Sequence, residues 1–216
     1  MTTTSDVRFS TRLRDATATA HRDAERAPYV HRLFRGHLPL GGVTDLTAQL
    51  WFVYAALEST GAGLRGDPVV AALARPELDR VQAIEADLVA LVGPRWRDQV
   101  RALPATDRYV ERIAACAHDP HRYVAHHYTR LLGDLSGGQM IGRTLQRHYG
   151  EAIEGALSFY DMSQLGDLDA YKDGYRAQLD RAPWSEQQRA QVVEEANVAF
   201  GCNAAVFTDL GAVWPG

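Results

Sequence analysis

Four glycines interrupt a segment whose apolar spacing is otherwise helical: Gly133, Gly137, Gly138 and Gly142, all within residues 128–142. Each glycine in a helix interior costs roughly 0.5–1 kcal/mol relative to alanine. A helix that accepts this loss repeatedly gains what side chains would block, a surface of bare main chain. Steps of three to five residues predict that Gly133, Gly137 and then Gly138 or Gly142 share one face. A flat ligand or another backbone can lie directly on such a face. Asp134 stands beside it and carries the only ionisable group there.

The remaining chain has the same helical period. Apolar residues recur at helical spacing through 10–26, 44–62, 77–91, 104–116, 120–149, 169–180 and 185–210, with shorter segments at 30–38 and 68–74. Residues 152–167 read as irregular, and strand alternation is nearly absent. The expected fold is all-α, about eight helices in a single domain spanning 1–216, with 1–8 and 211–216 as loosely ordered tails. At 216 residues and 46% apolar content the chain can bury a sizeable core. The net charge of −4 offers no broad basic footprint for nucleic acid. Two distant cysteines, Cys116 and Cys202, fit small buried groups in a reducing compartment better than a disulfide framework. Neither a signal pattern nor a bilayer-length apolar run is present, so a cytoplasmic location without membrane attachment is expected.

Eight histidines invite a search for metal ligands. His118, His121, His126 and His127 cluster around Pro120 and read as polar groups at a helix start. No Glu-x-x-His pair supports a carboxylate-bridged metal pair. His21 differs, because it falls mid-helix on the inward stripe among small neighbours, Thr17, Ala20 and Ala24. Glu25 lies one turn further on, where it can fix the ring's tautomer directly or through water. Taken alone, His21 reads as a core histidine bonded to a backbone carbonyl. Together with the glycine face it reads as an axial ligand, with a metalloporphyrin between the two helices. The two propionates of such a ring need cations, and Arg14, Lys172 and Arg176 are placed to supply them.

The octapeptide Leu132-Gly-Asp-Leu-Ser-Gly-Gly-Gln139 resembles the signature of haem oxygenases. The likeness continues in Ala18-Thr-Ala-His-Arg-Asp-Ala-Glu25, Tyr54-Ala-Ala-Leu-Glu58, Gly93-Pro-Arg-Trp96, Tyr171-Lys-Asp-Gly-Tyr-Arg176 and Glu194-Glu-Ala-Asn-Val-Ala-Phe200. It covers roughly residues 9 to 210 and is similar to the soluble bacterial members. The resemblance implies that His21 is the proximal iron ligand and Glu25 its carboxylate neighbour. It implies that Asp134 is the distal aspartate, that Gly133, Gly137 and Gly138 belong to the kinked distal helix, and that Tyr54 and Arg130 join the distal polar network. Arg14, Tyr128, Lys172 and Arg176 match propionate contacts, with Arg14 where some members carry lysine. Gly142 has no counterpart in many members and no assigned role.

The implied reaction uses haem as substrate and cofactor, dioxygen, and electrons from a ferredoxin or flavoprotein. Ring opening at a meso carbon, expected to be the α carbon, yields biliverdin, carbon monoxide and ferrous iron. Two rivals use related architectures. A haem carrier needs a second axial His, Met or Tyr, which the glycine face is not expected to offer. A thiaminase-like hydrolase needs an activated cysteine, and neither cysteine has an evident base.

Overall fold

The computed structural model describes residues 7–215. Eleven α-helices and no strands occur among them: α1 (Phe9–Glu25), α2 (Pro28–Phe34), α3 (Leu40–Gly63), α4 (Pro68–Leu73), α5 (Val81–Val92), α6 (Trp96–Gln99), α7 (Pro104–Ala114), α8 (Pro120–Gly133), α9 (Gln139–Tyr149), α10 (Leu168–Arg181) and α11 (Glu186–Val213). The excess over eight lies in short pieces such as the four-residue α6, too brief for a periodic signal. A 3₁₀ turn at Pro76–Leu78 precedes α5, which delays that helix to Val81.

Local chemistry fixes the element ends. The Asp119 carboxylate accepts from the Arg122 N–H, and Pro120 occupies the first turn of α8, where no amide donor is needed. Ser185 and Gln188 form a reciprocal capping box that starts α11. Gly93 and Gly150 close α5 and α9 with φ of +89° and +51°, which favour a residue without Cβ.

The core lies around α8, which packs against α11, α3 and α4. Val124 and Ala125 are fully buried on α8, and Ala196 and Ala199 on α11, small residues that let the axes approach. α1 lies along α11 on the other side. The last helix runs beyond the expected boundary at 210. Residues 211–213 are helical, and the Trp214 indole packs on Gly41 while its Nε1 donates to Asp45 at 2.8 Å. This end is anchored rather than loose. At the other end Phe9 is buried within α1, while residues 1–6 lie outside the described part.

α8 and α9 form one rod joined by a π turn over Asp134–Gly138. A π turn admits one extra residue into the helix, and it is frequent at functional sites. The loop from 150 to 167 carries three 3₁₀ turns and is pinned, not free. Asp87 accepts from the Ser158 and Phe159 amides at 2.7 and 2.8 Å, and Gln139 Nε2 donates to the Tyr160 carbonyl at 2.9 Å.

Candidate active site

Between α1 and the π-turn rod lies a cleft of about 570 Å³, within the size range of cofactor sites. α1 contributes Arg14, Thr17, Ala18, His21, Arg22 and Glu25 to its lining. The Thr17 hydroxyl donates to the Leu13 carbonyl at 2.9 Å, so it is engaged by its own helix and leaves a small, closed surface. The His21 side chain is 49% exposed to the cleft, with Nε2 3.5 Å from Glu25 Oε1. Phe200 of α11 meets the ring edge-on at 5.3 Å between centroids. The imidazole is therefore steered from two sides with one face left open.

The opposite wall is main chain. A Cβ added at Gly133 or Gly137 would meet nothing within 4 Å, so both glycines face open cleft. Gly138 and Gly142 do not share that face. A Cβ on Gly138 would sit 3.4 Å from Asp134 Cβ, and one on Gly142 only 2.8 Å from Tyr160 Cβ. Positions 138 and 142 lie on another side of the rod, toward Tyr160 of the 150–167 loop, which Gly142 admits. Ser136 and Met140 complete the open wall instead. Met140, 51% exposed, places a thioether one turn beyond Gly137, contrary to the expectation of a wall without potential ligands.

Asp134 lies behind this wall and does not line the cleft. It is 8% exposed, and the Tyr54 hydroxyl donates to its Oδ2. Arg130 Nη2 donates to both carboxylate oxygens at 2.8 and 3.1 Å, while Arg130 Nη1 donates to Asn203 Oδ1 at 2.9 Å. The Arg130 guanidinium lies over the Tyr54 ring at 5.5 Å. Burial pushes the Asp134 carboxyl above its ordinary value, against the opposing pull of Arg130 and the Tyr54 hydrogen bond. Burial and the neighbouring carboxylate raise Tyr54 far above the usual phenol range, so it stays a donor. Tyr109 lies fully buried near Arg130 and Asn203.

Cations gather at one end of the cleft. Arg14 and Arg176 line it, each paired among the described residues with a carboxylate of its own helix: Asp15 at 3.1 Å and Asp173 at 2.7 Å. Tyr128, 7% exposed, lines the same region. Burial raises its pKa, opposed by Thr17, Arg176 and Arg14. Lys172 is not brought in. It pairs with Asp169 at 2.8 Å and lies outside the cleft lining, one turn before Arg176 along α10.

Asn203, Tyr109, Phe200, Arg22 and Met140 escaped the sequence reading. The stripe Ala196, Ala199, Asn203 on α11 carried a signal, an inward polar residue among small buried ones. His126 and His127 are a further correction, since both are buried, at 0% and 6% exposure. α8 is enclosed on several sides, so adjacent positions are both interior. His126 Nε2 lies 2.9 Å from Glu195, whose two oxygens also accept from Arg112 at 2.6 Å each. Burial would raise the Glu195 carboxyl, but His126 and Arg112 hold it down to about 2. Cys116, His126 and Glu195 approach within 4.8 Å, yet Arg112 already occupies both carboxylate oxygens, so this is a buried ion-pair network. Burial pushes the Cys116 thiol up to about 12, which leaves it unreactive.

No helix among the described residues is long and apolar enough to cross a membrane. A family model described as heme oxygenase matches residues 7–209. A heme oxygenase of Pyropia yezoensis is 36% identical over 201 residues, covering 93% of this chain and 84% of its own length. A heme oxygenase 1 of Synechocystis sp. is 34% identical over 205 residues, covering 94% and 85%. The crystal structure of heme oxygenase-1 from Synechocystis in complex with heme superposes with a TM-score of 0.90 at 33% identity, covering 96% of this chain and 94% of that one.

Proposed function

The chain belongs to the haem oxygenase family, and from that premise we propose that it binds haem in the α1–π-turn cleft and opens the ring at the α-meso carbon. The carrying observation is that His21 faces Gly133 and Gly137 across an open cleft edged by Arg14 and Arg176. That arrangement suits a wide flat ring with anionic groups at one edge.

Bound haem supplies the iron that holds dioxygen and is itself the carbon skeleton that is oxidised. His21 would hold the iron through an imidazole nitrogen, and Glu25 would hold the imidazole's orientation. Arg14, Arg176 and the Tyr128 hydroxyl take the propionates. Lys172 joins them only by leaving Asp169. The Gly133–Gly137 wall would let main chain lie close over one ring face, leaving one ring edge the more open to attack. With the cations at that end of the cleft, the edge selected is the one that gives α-biliverdin, with carbon monoxide and ferrous iron.

Asp134 acts from behind the wall. Held by Arg130 and Tyr54, it orders a water that reaches the distal side and moves the proton. Its raised pKa brings it closer to neutrality, where proton transfer in both directions is easier. No carboxyl side chain of the rod lines the cleft, so Asp134 would act only through that water. The electrons come from a ferredoxin or flavoprotein that docks at the cationic edge of the cleft.

Met140 favours a second reading, a haem carrier with His21 and a thioether as the two axial ligands. One experiment separates them. Protein mixed with one equivalent of hemin is followed through a reductive turnover in oxygen. Loss of the Soret band, release of carbon monoxide and predominance of the α isomer support the oxygenase. A spectrum set by thioether ligation and abolished by Met140→Leu, with no ring opening, would replace it by the carrier.

A further inference from the structure

α10 delivers Arg176 to the cleft, yet it rests mainly on α1 and α4 and buries only Tyr175 and Leu179. Arg176 itself has no partner outside its own helix among the described residues. Its position therefore depends on where α10 sits. One buried polar contact fixes that helix against α8: the Tyr175 hydroxyl lies 2.9 Å from His127 Nδ1. The two rings stack at 5.8 Å with 19° between planes, and both side chains are buried. The next residue on each helix lines the cleft, Tyr128 after His127 and Arg176 after Tyr175.

We propose that His127 is a positioning residue: through Tyr175 it holds α10 against α8 and so sets Arg176 beside Tyr128 at the end of the cleft that receives the ring carboxylates. This rests on the haem reading above. A buried phenol must find a partner, and α8 offers one of fixed geometry. Burial holds His127 down to about 4, so the imidazole is neutral near pH 7. With its proton on Nε2 it accepts from the Tyr175 hydroxyl at Nδ1. The other side of the ring faces a cavity of about 20 Å³ shared with Tyr54, Tyr123, Glu58 and Asp79. That volume admits one water to satisfy Nε2–H. An apolar residue at 127 would leave both the phenol and this polar cavity without a partner.

The test compares His127→Ala, His127→Asn, whose carbonyl can reach the Nδ1 position, and Tyr175→Phe, which keeps the packing. Amide exchange is read on the ligand-free protein, and hemin release and biliverdin isomers on the loaded one. In His127→Ala and Tyr175→Phe, amides of α10 should exchange about tenfold faster while those of α11 stay unchanged. Hemin release should quicken by about fivefold or more, and isomers other than the main one should appear. His127→Asn should restore all three. Unchanged α10 exchange in both disruptive variants overturns the proposal. So does faster α10 exchange with unaltered hemin release and product pattern. Failure of the unmodified chain to take up hemin rejects the haem reading instead, and the exchange data still decide whether His127 holds α10.

Discussion

Gly137 and Gly142 face opposite surroundings, and substitution should separate them. Gly137→Ala adds a methyl into open cleft. The ligand-free protein should gain roughly 0.5–1 kcal/mol from helix propensity, while hemin affinity falls because the ring can no longer approach the backbone. Gly142→Ala drives a methyl to 2.8 Å from Tyr160 and should destabilise by roughly 1–3 kcal/mol. Urea unfolding with and without hemin reads both; equal shifts would mean that the two glycines are not divided as described. Asp134→Ala should leave hemin bound and lower biliverdin yield, since the carboxylate lies outside the cleft lining. Single-turnover product analysis checks it, and an undiminished yield removes Asp134 from proton delivery. At this scale the sequence was readable where a residue's chemistry and its spacing agreed. His21 and Glu25 could be paired from an interval of four, and Asp134 from the motif. Gly138 was not placed, because five residues on from Gly133 a regular helix has already turned about 140° away from that face. Lys172 was not either, because charge alone does not say which carboxylate a long side chain reaches, and here it is Asp169 of its own helix.

Helix ends obey local rules and were legible to within a few residues. α11, expected from 185, opens on a capping box of Ser185 and Gln188. Ser185→Ala should cost about 1 kcal/mol, seen as a lower midpoint in urea; no shift would mean that the cap is redundant with the packing of the helix. The π turn was not legible, since it arises from how two helix segments settle on different neighbours. The burial of His126 and His127 was hidden for a related reason. A helix enclosed on several sides loses its polar face, so periodicity no longer sorts inside from outside. Their partners, Glu195 and Tyr175, lie 69 and 48 residues away in sequence.

For the whole molecule, buried titrating groups set the response to acid. His127 titrates near 4 when folded against an ordinary 6.5. Between those values the unfolded chain binds more protons, so stability falls as pH drops from about 6.5 to 4. At about 1.4 kcal/mol per unit the loss approaches roughly 3 kcal/mol. Glu195, held at about 2, adds a second loss as pH falls below its ordinary 4.5. Asp134 and Glu58, raised mainly by burial, act in the opposite sense and flatten the net slope. The measurement is therefore a difference. Stability of the ligand-free chain between pH 4 and 7 should be steeper than that of His127→Asn, and parallel curves would show that His127 is not buried neutral. All-α architecture, visible from the sequence, follows from composition and period alone; how the charges pair across the core does not.

The surplus residue at Asp134–Gly138 makes the rod a counting device. Wound as a regular spiral with the same number of residues, the rod would swing the whole of α9 by about 100°. Met140 would leave the cleft and Gly142 would no longer admit Tyr160. Deleting the surplus residue should thus keep α9 in register, whereas inserting a further one should turn it away by about 100°, because what is stored there is a length rather than a composition.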